Sequence, residues 1–231
     1  MGELIGARWS DGGLATTLQA EHGLPPYTAL DRWLVDRPEA IAAVHRAFRA
    51  AGAELLLAGT FTTFPDPDLA ERALSLTRSA AGGAAVYASL GPGDDRARAA
   101  FVERFDDQVD GYVLETFVDP LEAARAVECV RRRTRHPVIA SLVPGPRARL
   151  GPLVDAGADV VGFNCGAAPS DVWDAVTRLD PVPTVPLWAK PAGGPGAVQV
   201  LAALAARCAW VGGCCGVSPA ELARAREVAG G

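Results

Sequence analysis

Short apolar runs alternate with helix-periodic stretches almost from end to end of this 231-residue chain, and that alternation is the strongest constraint on its fold. Eight runs read as strands, at residues 6–10, 54–59, 84–90, 110–115, 137–142, 158–164, 184–189 and 209–213. Most are apolar throughout, as parallel strands buried on both faces are. Between them, apolar residues recur at three- and four-residue spacing, most clearly over 38–51, 67–81, 120–134 and 219–229. Pro38, Pro120 and Pro219 stand where a helix begins, since a first-turn residue needs no N–H. Asp119 and Ser218 precede two of these as N-caps, and Gly52 and Gly157 stand where helices stop. A weak internal repeat, Ala51-Gly-Ala-Glu54 and Ala156-Gly-Ala-Asp159, marks the same helix-to-strand junction twice. Eight strands with helical crossovers predict a compact (β/α)8 TIM barrel with shortened loops, one domain over residues 1–231. The third and fifth units, 91–107 and 144–156, leave the least room for a loop and a full helix. An open doubly wound sheet is the alternative, but no Gly-x-Gly-x-x-Gly or Walker-type loop supports it.

Composition narrows the partners. The chain is 49% apolar and 21% charged, with net charge −5, so no basic footprint points to nucleic acid or an anionic membrane. No apolar run approaches the roughly 20 residues that span a bilayer, no signal peptide is expected, and cytoplasmic is the expected location. Five cysteines, an odd number, argue against a disulfide framework and for metal or catalytic thiols.

In a barrel the chemistry comes from the loops after the strands. Those loops hold Asp11-Gly12-Gly13, Thr60-Phe61, Glu115-Thr116, Asn164-Cys165, Lys190 and Cys214-Cys215. Cys165 ends one apolar run, and the pair Cys214-Cys215 ends another. Three thiols at the same ends of two parallel strands can converge on one metal and leave a fourth position open, the layout of a catalytic zinc site. The bland alternative is that thiols pack as small hydrophobes. Cys129 and Cys208, in helix-like stretches, fit that description. With no C-x-x-C pair, spacing alone leaves both readings open for the other three.

Taken alone, Asp11 reads as a turn residue before Gly-Gly, and Glu115 equally as a strand-end charge or a ligand. Lys190-Pro-Ala-Gly-Gly194 follows the seventh strand, where barrels often bind phosphate, but no phosphate role is assigned to it. His45 lies in an apolar helix face and reads as structural. His22 and His136 are not spaced as ligands to the cysteines. Trp33 is a candidate for a donor pocket or an exposed helix position.

Asp11-Gly-Gly-Leu-Ala-Thr16, Leu114-Glu-Thr-Phe117, Gly162-Phe-Asn-Cys165 and Gly212-Gly-Cys-Cys-Gly216 together resemble the successive signatures of the zinc-dependent homocysteine S-methyltransferase family. That family includes betaine–homocysteine and S-methylmethionine–homocysteine methyltransferases and the homocysteine-binding barrel of cobalamin-dependent methionine synthase. The match runs in order from about residue 8 to residue 228. The resemblance implies Zn²⁺ on Cys165, Cys214 and Cys215, with the homocysteine thiol at the fourth position. Coordination would deprotonate that thiol, which would then attack an activated methyl group and give methionine. Asp11 and Glu115 correspond to positions that contact the substrate's amino group. Gly12, Gly13 and Asn164 count with them on the substrate side, Asn164 chiefly by ordering the loop before Cys165.

The chain is markedly shorter than the usual stand-alone family member. The missing lengths fall after Leu90-Gly-Pro92, between Leu142 and Arg149, and between Gly196 and the last helix. A more open methyl-donor face is therefore expected. The candidate donors are S-methylmethionine, S-adenosylmethionine, betaine or a methylcorrinoid protein, so a carrier protein is a candidate partner. The alternatives are another small thiol or a selenol as acceptor, a non-catalytic zinc- or thiol-binding barrel, and a metal-free phosphate-binding barrel isomerase.

Overall fold

The computed structural model describes residues 8–26 and 28–230, and their strands form one parallel eight-stranded sheet. The strands are β1 (Arg8–Trp9), β2 (Leu55–Ala58), β3 (Ala85–Leu90), β4 (Gly111–Phe117), β5 (Val138–Leu142), β6 (Val160–Cys165), β7 (Leu187–Pro191) and β8 (Trp210–Val211). The spatial order β1-β8-β7-β6-β5-β4-β3-β2 brings the first and second strands to opposite ends of the sheet. A parallel bridge between Ser10 and Leu55 then closes it. The Asp11 N–H donates to the Leu55 carbonyl at 3.0 Å and the Glu54 N–H to the Trp9 carbonyl at 2.7 Å across the same seam. The result is the expected TIM barrel. Residues 6 and 7 of the first expected strand lie outside the described residues.

Each strand stays close to its expected place, and the departures have local causes. β7 starts at Leu187 instead of 184, because Pro186 has no N–H to give a neighbouring strand. It runs on through Lys190 and Pro191, which pair with Asn164 and Cys165 of β6. The helices are α1 (Leu14–Thr17), α2 (Asp31–Asp36), α3 (Pro38–Ala50), α4 (Pro67–Ala80), α5 (Asp95–Phe105), α6 (Pro120–Arg131), α7 (Gly151–Asp155), α8 (Pro169–Thr177), α9 (Ala197–Ala205) and α10 (Pro219–Gly230). The expected caps are present. Asp119 accepts from the Leu121 N–H at 2.8 Å. Ser218 and Glu221 form a reciprocal capping box, with the Glu221 carboxylate accepting from the Ser218 N–H at 2.8 Å and the Ser218 hydroxyl from the Glu221 N–H at 3.3 Å. Gly52 and Gly157 both take positive φ, at 94° and 96°, where they stop their helices.

The third unit holds a full helix after all, α5, because Asp94 caps it directly after a short loop. The fifth holds only the five-residue α7. Its brevity leaves a cavity of about 1030 Å³ between α7 and α8 on the outside of the barrel. Cys208 lies in the loop after α9 and not in a helix, and it is buried. No helix among the described residues is long and apolar enough to cross a membrane.

Two layers of core follow from the strand period of two. One set of side chains meets the helices. The other fills the barrel with Leu55, Leu57, Tyr87, Val113, Ile139, Val160, Trp188 and Trp210. Along the same inward parity, two residues further on, and four on β6 past Gly162, the apolar filling gives way to Ser89, Glu115, Ser141, Asn164 and Lys190. All five are buried polar groups at the carboxyl ends of their strands. The apolar plug is thus the floor beneath a polar layer.

Candidate active site

The polar layer is wired across neighbouring strands. Glu115 accepts a 2.6 Å hydrogen bond from the Ser89 hydroxyl on one oxygen, and the Asn164 amide lies 3.5 Å from the other. Asn164 is fully buried and uses both ends of its side chain. Its carbonyl accepts from the Thr116 N–H at 2.9 Å and from the Ser141 hydroxyl at 2.8 Å, while its amide donates to the Thr116 hydroxyl at 2.9 Å. Those partners fix which end is oxygen. The same amide nitrogen is 3.9 Å from the Cys214 sulfur. Asn164 therefore spans the gap between the carboxylate and the thiols.

The backbone is forced at these strand ends. Thr116 and Cys165 have φ of 67° and 68°, the left-handed region that non-glycine residues rarely occupy. The β4–β5 register shifts between Leu114 and Phe117, where a bulge re-aims Glu115 and Thr116. The Asn164 side chain holds Thr116 there, and each such residue typically costs about 1–3 kcal/mol.

Cys165, at the end of β6, meets Cys214 and Cys215, which follow β8, with all three sulfurs within 4.8 Å of one another. The Cys214 N–H donates to the Pro191 carbonyl at 2.8 Å, and the Gly193 N–H to the Cys215 carbonyl at 2.7 Å, so the loop after β7 clamps the cysteine pair. Gly193 packs directly on the Gly216 backbone, where a side chain could not fit. On the other flank, a β-carbon at Gly13 would stand 2.8 Å from the Cys214 carbonyl oxygen. The Thr16 hydroxyl accepts from the Gly216 N–H at 2.9 Å.

Three thiolates on Zn²⁺, with bonds of about 2.3 Å and tetrahedral angles, stand about 3.8 Å apart, so small rotamer adjustments suit this trio. Soft sulfur donors select zinc over hard cations, and three ligands leave a position for a substrate. The sulfurs also share protons. Hydrogen bonds from Cys165 and Cys214 pull the Cys215 thiol well below its usual range. Its bonds to Cys214 and then to Cys215 push Cys165 far up. Cys165 pulls Cys214 down, but the bond to Cys215 and burial outweigh it and leave Cys214 raised. A divalent ion bound by the three sulfurs would deprotonate them.

Asp11 follows β1 and is 2% exposed; one oxygen accepts from the Leu57 N–H at 2.8 Å and the other pairs with the Lys190 ammonium at 3.1 Å. Burial pushes Asp11 and Glu115 above the usual carboxylate range, and Lys190 pulls both back only in part. For Lys190, burial acts downward, but Asp11 and Glu115 outweigh it and hold the ammonium above its ordinary value.

The structure thus brings Asp11, Gly12, Gly13, Glu115, Asn164, Cys165, Cys214 and Cys215 to one end of the barrel. Cys129 stays on α6, His45 is buried beside Thr77, and Trp33 stacks with Arg37 at 5.1 Å. His22 closes a π-helical turn, Leu18–His22. Sequence reasoning missed Ser89 and Ser141, placed Thr116 at a strand end without a role, and listed Lys190 at the end of the seventh strand without pairing it to Asp11. The signal for Ser89, Ser141 and Lys190 was inward parity, each two residues past a barrel-filling side chain.

Residues 9–229 match the family model described as homocysteine S-methyltransferase. The methionine synthase of Mycobacterium tuberculosis (strain ATCC 25618 / H37Rv) is 26% identical over 257 residues, covering 84% of this chain and 21% of that protein. The chain therefore spans about a fifth of that relative's length. Among solved structures, the metallated form of the homocysteine methyltransferase MmuM from Escherichia coli superposes with a TM-score of 0.82 at 22% identity, covering 96% of each chain. N-acetylneuraminate lyase from Fusobacterium nucleatum, complexed with pyruvate, gives 0.65 at 13% identity, covering 98% of this chain and 74% of that one. At these identities the structural likenesses show the shared barrel.

Proposed function

The chain belongs to the homocysteine S-methyltransferase family, and from that premise we propose that it transfers a methyl group to the thiol of homocysteine, giving methionine, with Zn²⁺ as cofactor on Cys165, Cys214 and Cys215. The observation that carries this reading is the convergence of those three sulfurs within 4.8 Å beside the Asn164–Glu115 pair. Zinc bound there would supply the Lewis acidity that keeps the acceptor thiol ionised at neutral pH.

The remaining work falls to the chain's own groups. An acceptor with a thiol at one end and an ammonium a few bonds away matches a thiol cluster joined to a buried carboxylate through one asparagine. Asp11 and Glu115 supply the negative field for the ammonium. Ser89 and Asn164 fix the Glu115 carboxylate, so it does not reorganise when the ammonium arrives. A bare Gly13 leaves room beside the Cys214 and Cys215 backbone, and a bare Gly12 lets the same turn pack on Phe48 and the Val217 carbonyl. Holding the acceptor at both ends leaves its sulfur oriented toward the donor, where proximity contributes much of the rate. We assign the activity to a single barrel domain in the cytoplasm, where three clustered thiols stay reduced.

The test is methyl transfer to homocysteine by zinc-loaded protein, with S-methylmethionine, S-adenosylmethionine, betaine or a methylated corrinoid protein as donor. Methionine is expected with at least one donor, and a gain from the carrier protein would identify an open donor face. Stoichiometric zinc with no methionine from any donor would contradict the reading.

A further inference from the structure

Building on the proposed function, we propose that Arg98 is a positioning residue of the acceptor site. From behind the barrel wall it fastens the loops after β2 and β3 to the end of β4 and so fixes the Glu115–Thr116 bulge. The buried stripe of α5 is Arg98, Phe101, Val102 and Phe105, the spacing of a core-facing helix side. Three of the four are apolar, and the first is an arginine with 1% exposure. A guanidinium there gives up its water. Its acidic partner at ion-pair distance among the described residues, Asp95, keeps half of its own side chain in solvent. An apolar residue would complete the stripe without that cost. What the guanidinium gains instead is contact with three separate strand ends.

Its Nη2 donates to the carbonyl of Gly91, directly after β3, at 3.0 Å. The ring of Phe64, in the loop after β2, lies 5.7 Å from its central carbon, and the ring of Phe117, the last residue of β4, lies 5.9 Å from it. A cation is drawn to aromatic faces at such distances, and both rings belong to the core layer between strands and helices. The loops after β2 and β3 also touch without it, since the Gly91 N–H donates to the Phe61 carbonyl at 3.2 Å and the Thr60 hydroxyl to the Ser89 carbonyl at 2.7 Å. Phe117 is the contact that reaches the site. It follows Thr116, whose left-handed backbone offers its N–H to Asn164, and it ends the bulge that re-aims Glu115. Asn164 grips this segment from inside the barrel, and Arg98 grips it from outside. Without the outer grip the strained segment relaxes and carries Glu115 out of line. The thiols stand on β6 and after β8, so metal binding does not pass through Arg98.

The experiment compares Arg98→Met, which keeps a long side chain and removes its charge, with Val102→Ala, a cavity one turn further along the same stripe. Zinc content, homocysteine binding to zinc-loaded protein by calorimetry, and amide hydrogen exchange are measured well below each melting transition. Arg98→Met should keep the wild-type zinc content and weaken homocysteine binding about tenfold. Its exchange should speed up over residues 111–117 and not over 160–165. Val102→Ala should melt at a lower temperature yet bind homocysteine within about twofold of wild type. Equal effects of the two variants on homocysteine binding, or none from Arg98→Met, would make Arg98 a core residue like its neighbours and overturn the inference. If Arg98→Met does not fold, Arg98→Lys takes its place, because one ammonium cannot grip a carbonyl and two rings as the planar fork does. A loss of homocysteine affinity below about threefold would then overturn it. Wild type that binds zinc but not homocysteine would remove the proposed function. Exchange over 111–117 in the Arg98 variant would then decide the inference by itself, faster exchange upholding it and unchanged exchange ending it.

Discussion

Asn164 and His45 show two ways in which a single buried side chain governs this molecule. Asn164 joins β4, β5 and β6 through Thr116 and Ser141 and sustains the left-handed backbone of Thr116. Its replacement by Ala leaves the Thr116 N–H and the Ser141 hydroxyl without their acceptor, so unfolding in urea should show a loss of about 2–4 kcal/mol. A change below about half a kcal/mol would mean that the network carries no stability. His45 is buried on α3. The Thr77 hydroxyl gives its one proton to the Ala73 carbonyl at 2.8 Å, so the histidine Nε2, 3.0 Å away, must be the donor. Its Nδ1 has no partner among the described residues, and burial lowers the imidazole to about 4. In the folded protein His45 is neutral, whereas unfolded it titrates near 6.5. Its contribution is thus complete above about pH 6.5 and is lost as pH falls toward 4, about 3 kcal/mol in all. A His45→Met variant should lose this segment of the acid-stability profile. An unchanged slope between pH 6.5 and 4 would refute the assignment. At this scale the three clustered cysteines were legible because thiols at strand ends stand out. The Lys190–Asp11 pair was not, because it depends on the barrel closing β1 onto β8 beside β7.

At the scale of elements, glycine and cap positions decide whether strands and helices can meet. A β-carbon at Gly162 would overlap the Trp188 carbonyl of β7, so β6 and β7 pair closely only because that position is bare. Gly162→Ala should cost more than about 3 kcal/mol, as overpacking and strain of this kind do, and should lower zinc content by displacing Cys165. Wild-type stability in that variant would show the strands free to separate there. Ser218→Ala should cost about 1 kcal/mol at the start of α10, the usual value of an N-cap, with no effect on metal; a thermal melt reads it. All eight strands and the four clearest helices were legible, since apolar runs, first-turn prolines and stop glycines are local signals. The helix of the third unit, α5, escaped because its N-cap, Asp94, allows a loop shorter than composition suggested. Cys208 was misplaced because apolar residues 197–205 continue the helical pattern almost to it.

The whole molecule matters because the chemistry is built from parts far apart in the chain. Cys165 and the Cys214–Cys215 pair come from β6 and β8, with β7 between them, and meet because those three strands are neighbours in the curved sheet. The floor of apolar side chains and the polar layer above it come from one parity rule applied to strands of similar height. Metal binding and barrel closure should therefore stabilise each other, as binding to the folded state alone always does. The most direct test is the zinc content of the native protein against Cys215→Ala, measured by elemental analysis after dialysis against a weak chelator. About one zinc ion per chain in the native protein and almost none in the variant is the predicted result. Equal zinc in both, or none in the native protein, would contradict it.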